Sequence, residues 1–121
     1  MARSVLVADD DKDILALVAT VLEEAGYQVQ SAVGRETLDA IEQHRPDAIL
    51  LDYQMPGMDG IHIAQTVRAN AQTLAIPIIA MTAASRAPVI CHQMDADGCL
   101  GKPFDIDHLV QVVNKLVHST H

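Results

Sequence analysis

The sequence predicts a doubly wound α/β fold built from five consecutive βα units. The first observation is a set of short aliphatic runs without polar alternation, such as Val5–Ala8 and Ala48–Leu51, which suit strands buried on both faces of a parallel sheet. The second is that stretches with apolar residues at helical spacing lie between these runs. The third is size, because 121 residues are enough for one domain with a proper core, expected over residues 1–121.

Five strands follow from the aliphatic runs and the residues that bound them. Pro77 must lie at the start of the fourth strand, where a missing backbone donor is tolerated. The fifth strand is only a short apolar stretch. The predicted strands are Val5–Ala8, Tyr27–Ser31, Ala48–Asp52, Ile76–Met81 and Gly98–Leu100.

Capping and breaking residues mark the ends of the first two helices. Asp11 and Asp13 are acidic residues at the expected N-terminus of the first helix, where they favour the helix dipole. Gly26 is a good stop for that helix. The second helix is predicted from about Arg35 and is closed by Pro46.

The remaining helices follow from apolar periodicity. The third is predicted over roughly Asp59–Asn70, and the fourth is a weak pattern over residues 85–95 interrupted by Pro88. A final amphipathic helix completes the chain. The inward-facing residues of the first, second, third and fifth helices are Ile14, Val18, Val21 and Leu22; Leu38 and Ile41; Ile61, Ala64 and Val67; and Leu109, Val112, Val113 and Leu116.

Composition and charge narrow the possible partners and location. The net charge of −8 and the lack of a basic patch argue against nucleic-acid binding. No apolar stretch is long enough to span a membrane, and Met1–Ser4 leads straight into a strand without a secretory signal, so we expect a cytoplasmic protein. Cys91 and Cys99 have no metal-type spacing, which predicts reduced thiols.

Three aspartates stand where strands end. Asp9 and Asp10 follow the first strand and Asp52 ends the third. Because ligands of open α/β sheets bind outside the carboxyl ends of the strands, these residues predict one acidic pocket, and such a pocket needs a cation such as Mg²⁺. Thr82 and Lys102 stand at or after two later strand ends and could bind a phosphoryl group there.

Each of these residues also has a simpler explanation. Acidic residues before a helix are common caps, an isolated threonine usually begins a turn, and a lysine before proline is usually on the surface. An ordinary βα turn capped by Asp59 explains the loop after Asp52 but not the carboxylate facing Asp9 and Asp10. A cis Lys102–Pro103 bond would aim the lysine at a fixed place.

Other acidic sites fit the sequence less well. A calcium loop starting at Asp9 needs Gly at its sixth position and Glu at its twelfth, and these positions hold Ile14 and Thr20. An aspartate-nucleophile phosphatase would carry a substrate-covering domain for which the chain is too short. A flavin-binding module on the same fold would need phosphate donors after the first strand, where the aspartates would repel a phosphate.

Taken together, the motifs resemble those of response-regulator receiver domains of two-component signalling, over essentially the whole chain. The matching segments are Asp9-Asp10, Asp52 with Met55-Pro56-Gly57-Met58-Asp59-Gly60, Thr82-Ala83 and Lys102-Pro103-Phe104. The resemblance implies a flavodoxin-like (βα)5 sandwich with strand order 2-1-3-4-5. It also implies a phospho-acceptor switch, not an enzyme, in which a histidine kinase or histidine phosphotransfer protein phosphorylates Asp52 with Mg²⁺ as cofactor.

The resemblance also implies a role for each site residue. Asp10 and Asp52 would bind the metal directly, Asp9 through water, and Gln54 through its backbone carbonyl. Thr82 and Lys102 would bind the phosphoryl oxygens. An output domain or a downstream protein would receive the signal.

Cys99 departs from the family pattern, in which an aromatic residue usually stands three positions before the lysine. That aromatic residue normally moves together with the threonine, so we expect weak switching through this route. A phosphate-sink or passive interaction receiver is therefore an alternative function.

Overall fold

The computed structural model describes residues 3–55 and 57–118. Within these residues, five parallel strands form one sheet in the order β2-β1-β3-β4-β5, which confirms the predicted fold class and strand order. The strands are β1 (Ser4–Ala8), β2 (Gln28–Ala32), β3 (Ala48–Asp52), β4 (Ile78–Ala83) and β5 (Gly98–Lys102). The helices are α1 (Lys12–Glu24), α2 (Glu36–His44), α3 (Gly60–Ala69), α4 (Ala87–Gln93) and α5 (Ile106–His118), with a 3₁₀ turn at Ala84–Arg86.

The fourth strand lies two residues later than the sequence predicted. Ile76 belongs to the preceding turn, because its N–H donates to the carbonyl of Thr73. Pro77 contributes only its carbonyl, which accepts from Ile49, as expected for a proline at a strand start. The strand therefore begins at Ile78 and continues through Thr82 to Ala83.

The prediction that Pro88 interrupts the fourth helix is wrong. Pro88 lies in the first turn of α4, which begins at Ala87. In the first turn a backbone N–H has no partner within the helix, so proline removes no helical hydrogen bond there. The interruption lies before the helix, in the 3₁₀ turn that follows β4.

The sheet is packed on both faces by aliphatic side chains, as the strand composition predicted. β3 is buried along its whole length. One layer packs α2, α3 and α4 against the sheet, and its fully or nearly fully buried members include Leu6, Ile41, Ile49, Ile63 and Ile90. The opposite layer packs α1 and α5 and includes Val5, Val18, Leu22, Leu109 and Val113. The ends of β1 and β3 are therefore held by tight packing on two sides.

Arg68 of α3 joins the loop before β4 to the turn before β5 and was not predicted from the sequence. Its guanidinium donates to the carbonyls of Leu74 and Ile76 at 2.9 and 3.0 Å. It also donates to the carbonyl of Asp95 and to the carboxylate of Asp97, at 3.0 and 2.7 Å. The same Asp97 carboxylate accepts the N–H of Ile78 at 2.9 Å, so this network fixes where β4 begins.

The two cysteines form a disulfide between Cys91 of α4 and Cys99 of β5, so the prediction of reduced thiols is wrong for this structure. Their Cα atoms lie 6.1 Å apart, within the range that a disulfide spans. The chain reverses direction between α4 and β5, which brings together residues that are eight positions apart.

No helix among the described residues is long and apolar enough to cross a membrane.

Replacing Gly60 with alanine should destabilise the junction between β3 and α3. A Cβ atom at this position would lie 2.6 Å from the carbonyl oxygen of Asp52 and 3.0 Å from the Cα of Tyr53. These are backbone atoms, and the Gly60 N–H also donates to the Tyr53 carbonyl at 2.8 Å, so relief requires the loop to move. We expect the free energy of unfolding in urea to fall by about 1–3 kcal/mol.

The control is Gln65→Ala at an exposed position of the same helix, where we expect a change within about 0.5 kcal/mol. Equal stability of the two variants would contradict the close approach of Gly60 to β3.

Candidate functional site

A cleft of about 360 Å³ opens at the carboxyl ends of β1, β3, β4 and β5. This is the edge of the sheet where the sequence predicted a site. All six predicted site residues line it, together with four others. The lining residues are Asp9, Asp10, Asp11, Asp52, Tyr53, Gln54, Thr82, Ala83, Arg86 and Lys102.

The turn between β1 and α1 sends Asp9 inward and leaves Asp10 exposed. The Asp9 side chain has no exposed surface, and one of its oxygens accepts the N–H of Asp11 at 3.0 Å. Asp11 is in turn the N-cap of α1 and accepts the N–H groups of Asp13 and Ile14. The capping explanation considered for these acids therefore holds for Asp11 and leaves Asp9 and Asp10 free to face the cleft.

Asp52 is the last residue of β3 and is only 6% exposed. The chain directly after it is fixed, because the Tyr53 N–H donates to the Met81 carbonyl at 3.0 Å. One carboxylate oxygen from each of Asp9, Asp10 and Asp52 lies within 4.8 Å of the others. The three predicted acids thus form one cluster.

Lys102 reaches this cluster from the end of β5. Its Nζ lies 2.8 Å from Oδ2 of Asp9 and 3.0 Å from Oδ1 of Asp52. The parallel pairing of Ala83 with Lys102 brings the end of β5 level with the end of β4, beside the nearly buried Thr82. The Lys102–Pro103 peptide bond is cis, the alternative that the sequence left open.

The site favours a protonated Asp52 more than water does. Burial raises the pKa of Asp52 to about 6, the hydrogen bond from Lys102 opposes this shift, and the nearby charge of Asp9 adds to it. Burial lowers the pKa of Lys102, but hydrogen bonds and charge attraction from Asp9 and Asp52 together outweigh burial and leave that pKa raised. Lys102 therefore stays an ammonium.

The donor set fits a hard divalent cation such as Mg²⁺. The clustered atoms are carboxylate oxygens, and Gln54, which lines the same cleft, can add a backbone carbonyl. One ammonium contacts two of the three clustered carboxylates, so the cluster keeps a negative charge when all three are ionised. Asp10 is the exposed member of the cluster, whereas Asp9 is buried and contacts Lys102.

Arg86 and Tyr53 are site residues that the sequence analysis missed. The guanidinium carbon of Arg86 lies 5.5 Å from the centre of the Tyr53 ring, a cation–π distance, and both residues line the cleft. The only sequence signal for Arg86 was its position four residues after Thr82. The 3₁₀ turn that brings it back over the cleft left no pattern in the sequence.

Comparison with known proteins gives a family match. The family model described as "Response regulator receiver domain" matches residues 5–114. The chain is 37% identical over 119 residues to the DNA-binding dual master transcriptional regulator RpaA of Synechocystis, covering 96% of this chain and 49% of that protein. It is 36% identical to sporulation initiation phosphotransferase F of Bacillus subtilis over 118 residues, covering 95% of this chain and 94% of that protein.

A solved structure agrees with the fold. The receiver domain of a sensor histidine kinase from Pseudomonas aeruginosa, with a magnesium ion coordinated in its active-site cleft, matches with a TM-score of 0.90. The two chains are 26% identical, and the match covers 98% of this chain and 100% of the other. The present chain spans about half the length of several relatives, RpaA among them.

Replacing Asp52 with asparagine should stabilise the protein at neutral pH in a buffer that contains a chelator. The pKa of Asp52 in the folded protein, about 6, is above its ordinary value of 3.8, so the folded state binds this proton more tightly than the unfolded state. The contribution of Asp52 to stability is therefore fully present below about pH 4 and is lost as the pH rises through about 6. An asparagine side chain cannot ionise, so we expect a gain of about 1–3 kcal/mol near pH 7.5 that shrinks towards pH 4.

Urea unfolding followed by circular dichroism at the two pH values measures this difference. Glu42→Gln, which removes one negative charge from an exposed position of α2, is the control and should show little pH-dependent gain. An Asp52→Asn protein less stable than the wild type at neutral pH would show that the contact with Lys102 outweighs the burial and repulsion of the carboxylate.

Proposed function

The chain belongs to the response regulator receiver domain family, and on that premise we propose that it is a phospho-acceptor switch in which Asp52 receives the phosphoryl group. The donor is a sensor histidine kinase or a histidine phosphotransfer protein. The observation that carries this proposal is the contact of one nearly buried carboxylate, Asp52, with the Lys102 ammonium at 3.0 Å inside a cluster of acids. This arrangement holds the carboxylate in one orientation and supplies a cation next to the reacting oxygen.

In the proposed transfer, an oxygen of the Asp52 carboxylate attacks phosphorus in line with the bond to the donor imidazole. The phosphorus–nitrogen bond breaks and the imidazole leaves with the electron pair. Asp52 must be ionised to attack, and a pKa of about 6 allows this at neutral pH. Mg²⁺, held by Asp10, Asp52 and the Gln54 carbonyl with Asp9 acting through water, would supply positive charge against the anionic groups that meet here.

Lys102 and Thr82 serve the phosphorylated state. When Asp52 becomes an acyl phosphate, its carboxylate charge moves to the phosphoryl oxygens, so the Lys102 ammonium is drawn from Asp52 towards them. Thr82, at the end of β4 in the same cleft, can donate its hydroxyl hydrogen to another phosphoryl oxygen. Both residues lie on strands that lead into the neighbouring 3₁₀ turn and α5, so their movement carries the signal outward.

The proposed domain, location and output follow from family membership and from the lengths of the relatives. One receiver domain spans residues 1–121, acts in the cytoplasm as a signalling switch and not as an enzyme, and loses its phosphoryl group slowly by hydrolysis. Relatives about twice as long include DNA-binding regulators, so an attached output domain or a separate downstream protein is the expected recipient of the signal. Cys99 is the one feature that suits a passive phosphate sink, and the family match favours the switch over a flavin-binding module or a phosphatase.

Incubation with acetyl phosphate and Mg²⁺ should add one phosphoryl group to the wild-type chain, measured by intact mass. Asp52→Asn removes the nucleophile and should abolish this gain. The matched control is Asp13→Asn, the same substitution at an exposed position in the first turn of α1, which should be phosphorylated like the wild type. A hydroxylamine-labile phosphoryl group on the Asp52→Asn protein would place the acceptor elsewhere.

Binding of Mg²⁺ can be measured without any phosphoryl transfer. At ten times its dissociation constant the ion should raise the free energy of unfolding by about 1.4 kcal/mol, because it binds only the folded cluster. Asp10→Asn removes a direct ligand and should weaken this effect, whereas NaCl of equal ionic strength should not reproduce it. Equal stabilisation of the wild type and of Asp10→Asn would contradict the assignment of Asp10.

Replacing Lys102 with alanine should slow phosphorylation by acetyl phosphate on the order of tenfold to hundredfold, because a positive charge aimed at the phosphoryl oxygens is lost. Lys115→Ala, at an exposed position of α5, is the control for removal of a lysine. Circular dichroism checks that both variants are folded. Unfolding of Lys102→Ala, together with normal phosphorylation of its folded fraction, would show that Lys102 is structural.

A further inference from the structure

The disulfide lies within the segment that connects the two residues proposed to bind the phosphoryl group. Cys91 and Cys99 are both between Thr82 and Lys102 in the chain. Cys99 pairs with Ala80 in the sheet, two residues before the pairing of Thr82 with Gly101. A covalent bond here ties α4 to β5, and α4 follows β4 through the 3₁₀ turn at Ala84–Arg86.

The covalent bond adds to a modest set of packing contacts. α4 has only seven residues, and Ile90 is its fully buried residue, followed by the buried Met94 just after the helix. Within the described part of the chain β5 is an edge strand, with β4 as its one neighbour in the sheet. A cross-link between a short helix and an edge strand therefore restricts two elements that packing alone holds less firmly than the central strands.

The surroundings of the sulfur atoms suit a reduced state as well as an oxidised one. Both cysteines are partly exposed, so a thiol reagent can reach them. The carbonyl oxygen of Ala87 lies 3.6 Å from Sγ of Cys99. In the disulfide this sulfur carries no hydrogen, but after reduction the thiol has an acceptor already in place at the start of α4.

We propose that Cys91 and Cys99 are a reversible redox site, and that their disulfide holds α4 on β5 and limits the rearrangement that phosphorylation can drive between residues 82 and 102. The cytoplasmic location proposed above supports reversibility, because disulfides in that compartment are mostly transient or redox-sensing. The redox chemistry stands on the two cysteines alone. Its effect on signalling rests on the proposed phospho-acceptor function.

The chemical step involves a dithiol reductant. A thiolate of that dithiol attacks one sulfur of the Cys91–Cys99 bond, forms a mixed disulfide and releases the other sulfur as a thiolate. The second thiol of the reductant then displaces the protein sulfur and closes its own disulfide. In total two electrons and two protons pass to the protein, and a low-molecular-weight disulfide reverses the reaction by the same exchange.

The test begins with the whole chain equilibrated in buffers with different ratios of reduced to oxidised dithiothreitol. Alkylation by iodoacetamide and intact mass should show two thiols appearing together as the buffer becomes more reducing. Amide hydrogen exchange of residues 87–93 should become faster on the order of tenfold in the reduced protein, because the cross-link no longer opposes local opening. Unchanged exchange in α4 after complete reduction would overturn the proposal, as would thiols already alkylated in full without reductant.

Beryllofluoride with Mg²⁺, which stands in for the phosphoryl group, tests the effect on signalling. We expect its addition to alter exchange over residues 82–102 several-fold more in the reduced protein than in the oxidised protein. The control is the Cys91→Ser, Cys99→Ser double variant, which should respond like the reduced wild type in every redox buffer. Cys91→Ala with Cys99→Val, which keeps apolar side chains, replaces it if the serine variant is unstable.

The outcomes separate the two proposals. If beryllofluoride changes exchange in the double variant and changes it equally in oxidised and reduced wild type, the redox control is wrong and the phospho-acceptor function stands. If beryllofluoride has no effect even on the double variant, the proposed function fails, while the exchange of α4 without beryllofluoride still decides whether the redox site restrains the helix.

Discussion

The contact of the Lys102 ammonium with Asp9 and Asp52 is the interaction on which the rest of the site depends. The lysine is 93 residues from Asp9 and 50 residues from Asp52 in the chain, so the contact forms only when the parallel sheet is assembled. Burial of two carboxylates without a cation would be unfavourable, and the cluster still carries an excess of negative charge. The remaining negative charge therefore favours binding of a divalent cation. That cation and the Lys102 ammonium together would attract an anion such as a phosphoryl group.

The aliphatic core explains why this charged cluster can stay in place. β1 and β3, at whose carboxyl ends the three acids lie, are central strands with helices packed on both faces, and β3 is buried throughout. A close-packed interior resists small displacements of the residues at its edge. The buried acids Asp9 and Asp52 are thus fixed. The other side of the cleft is formed by the end of β4, the 3₁₀ turn and the edge strand β5.

The corner formed by α4 and β5 contains Cys99, the residue at which the sequence departs from the pattern that the resemblance implies. The side chain of Cys99 is joined there to Cys91. The same corner contains the Arg68 network, which ties the turn before β5 to the loop before β4. The start of β5 is consequently held by both a charged hydrogen-bond network and a covalent bond, while its end carries Lys102 into the cleft.

Much of the fold and the acidic site follows from the sequence alone, because both depend on local patterns. Unbroken aliphatic runs indicate buried parallel strands, and parallel strands place their carboxyl ends at one edge, so Asp9, Asp10 and Asp52 could be assigned to one cluster before any contact was known. Tertiary structure decided the features that depend on how short connections turn. Arg86 reaches the cleft through a 3₁₀ turn, and Cys91 meets Cys99 because the chain reverses at Asp95, which has a positive φ of 50°. The spacing of apolar residues does not predict such turns. Each turn depends on the backbone angles of one or two residues, and these angles are determined by how the sheet and helices pack.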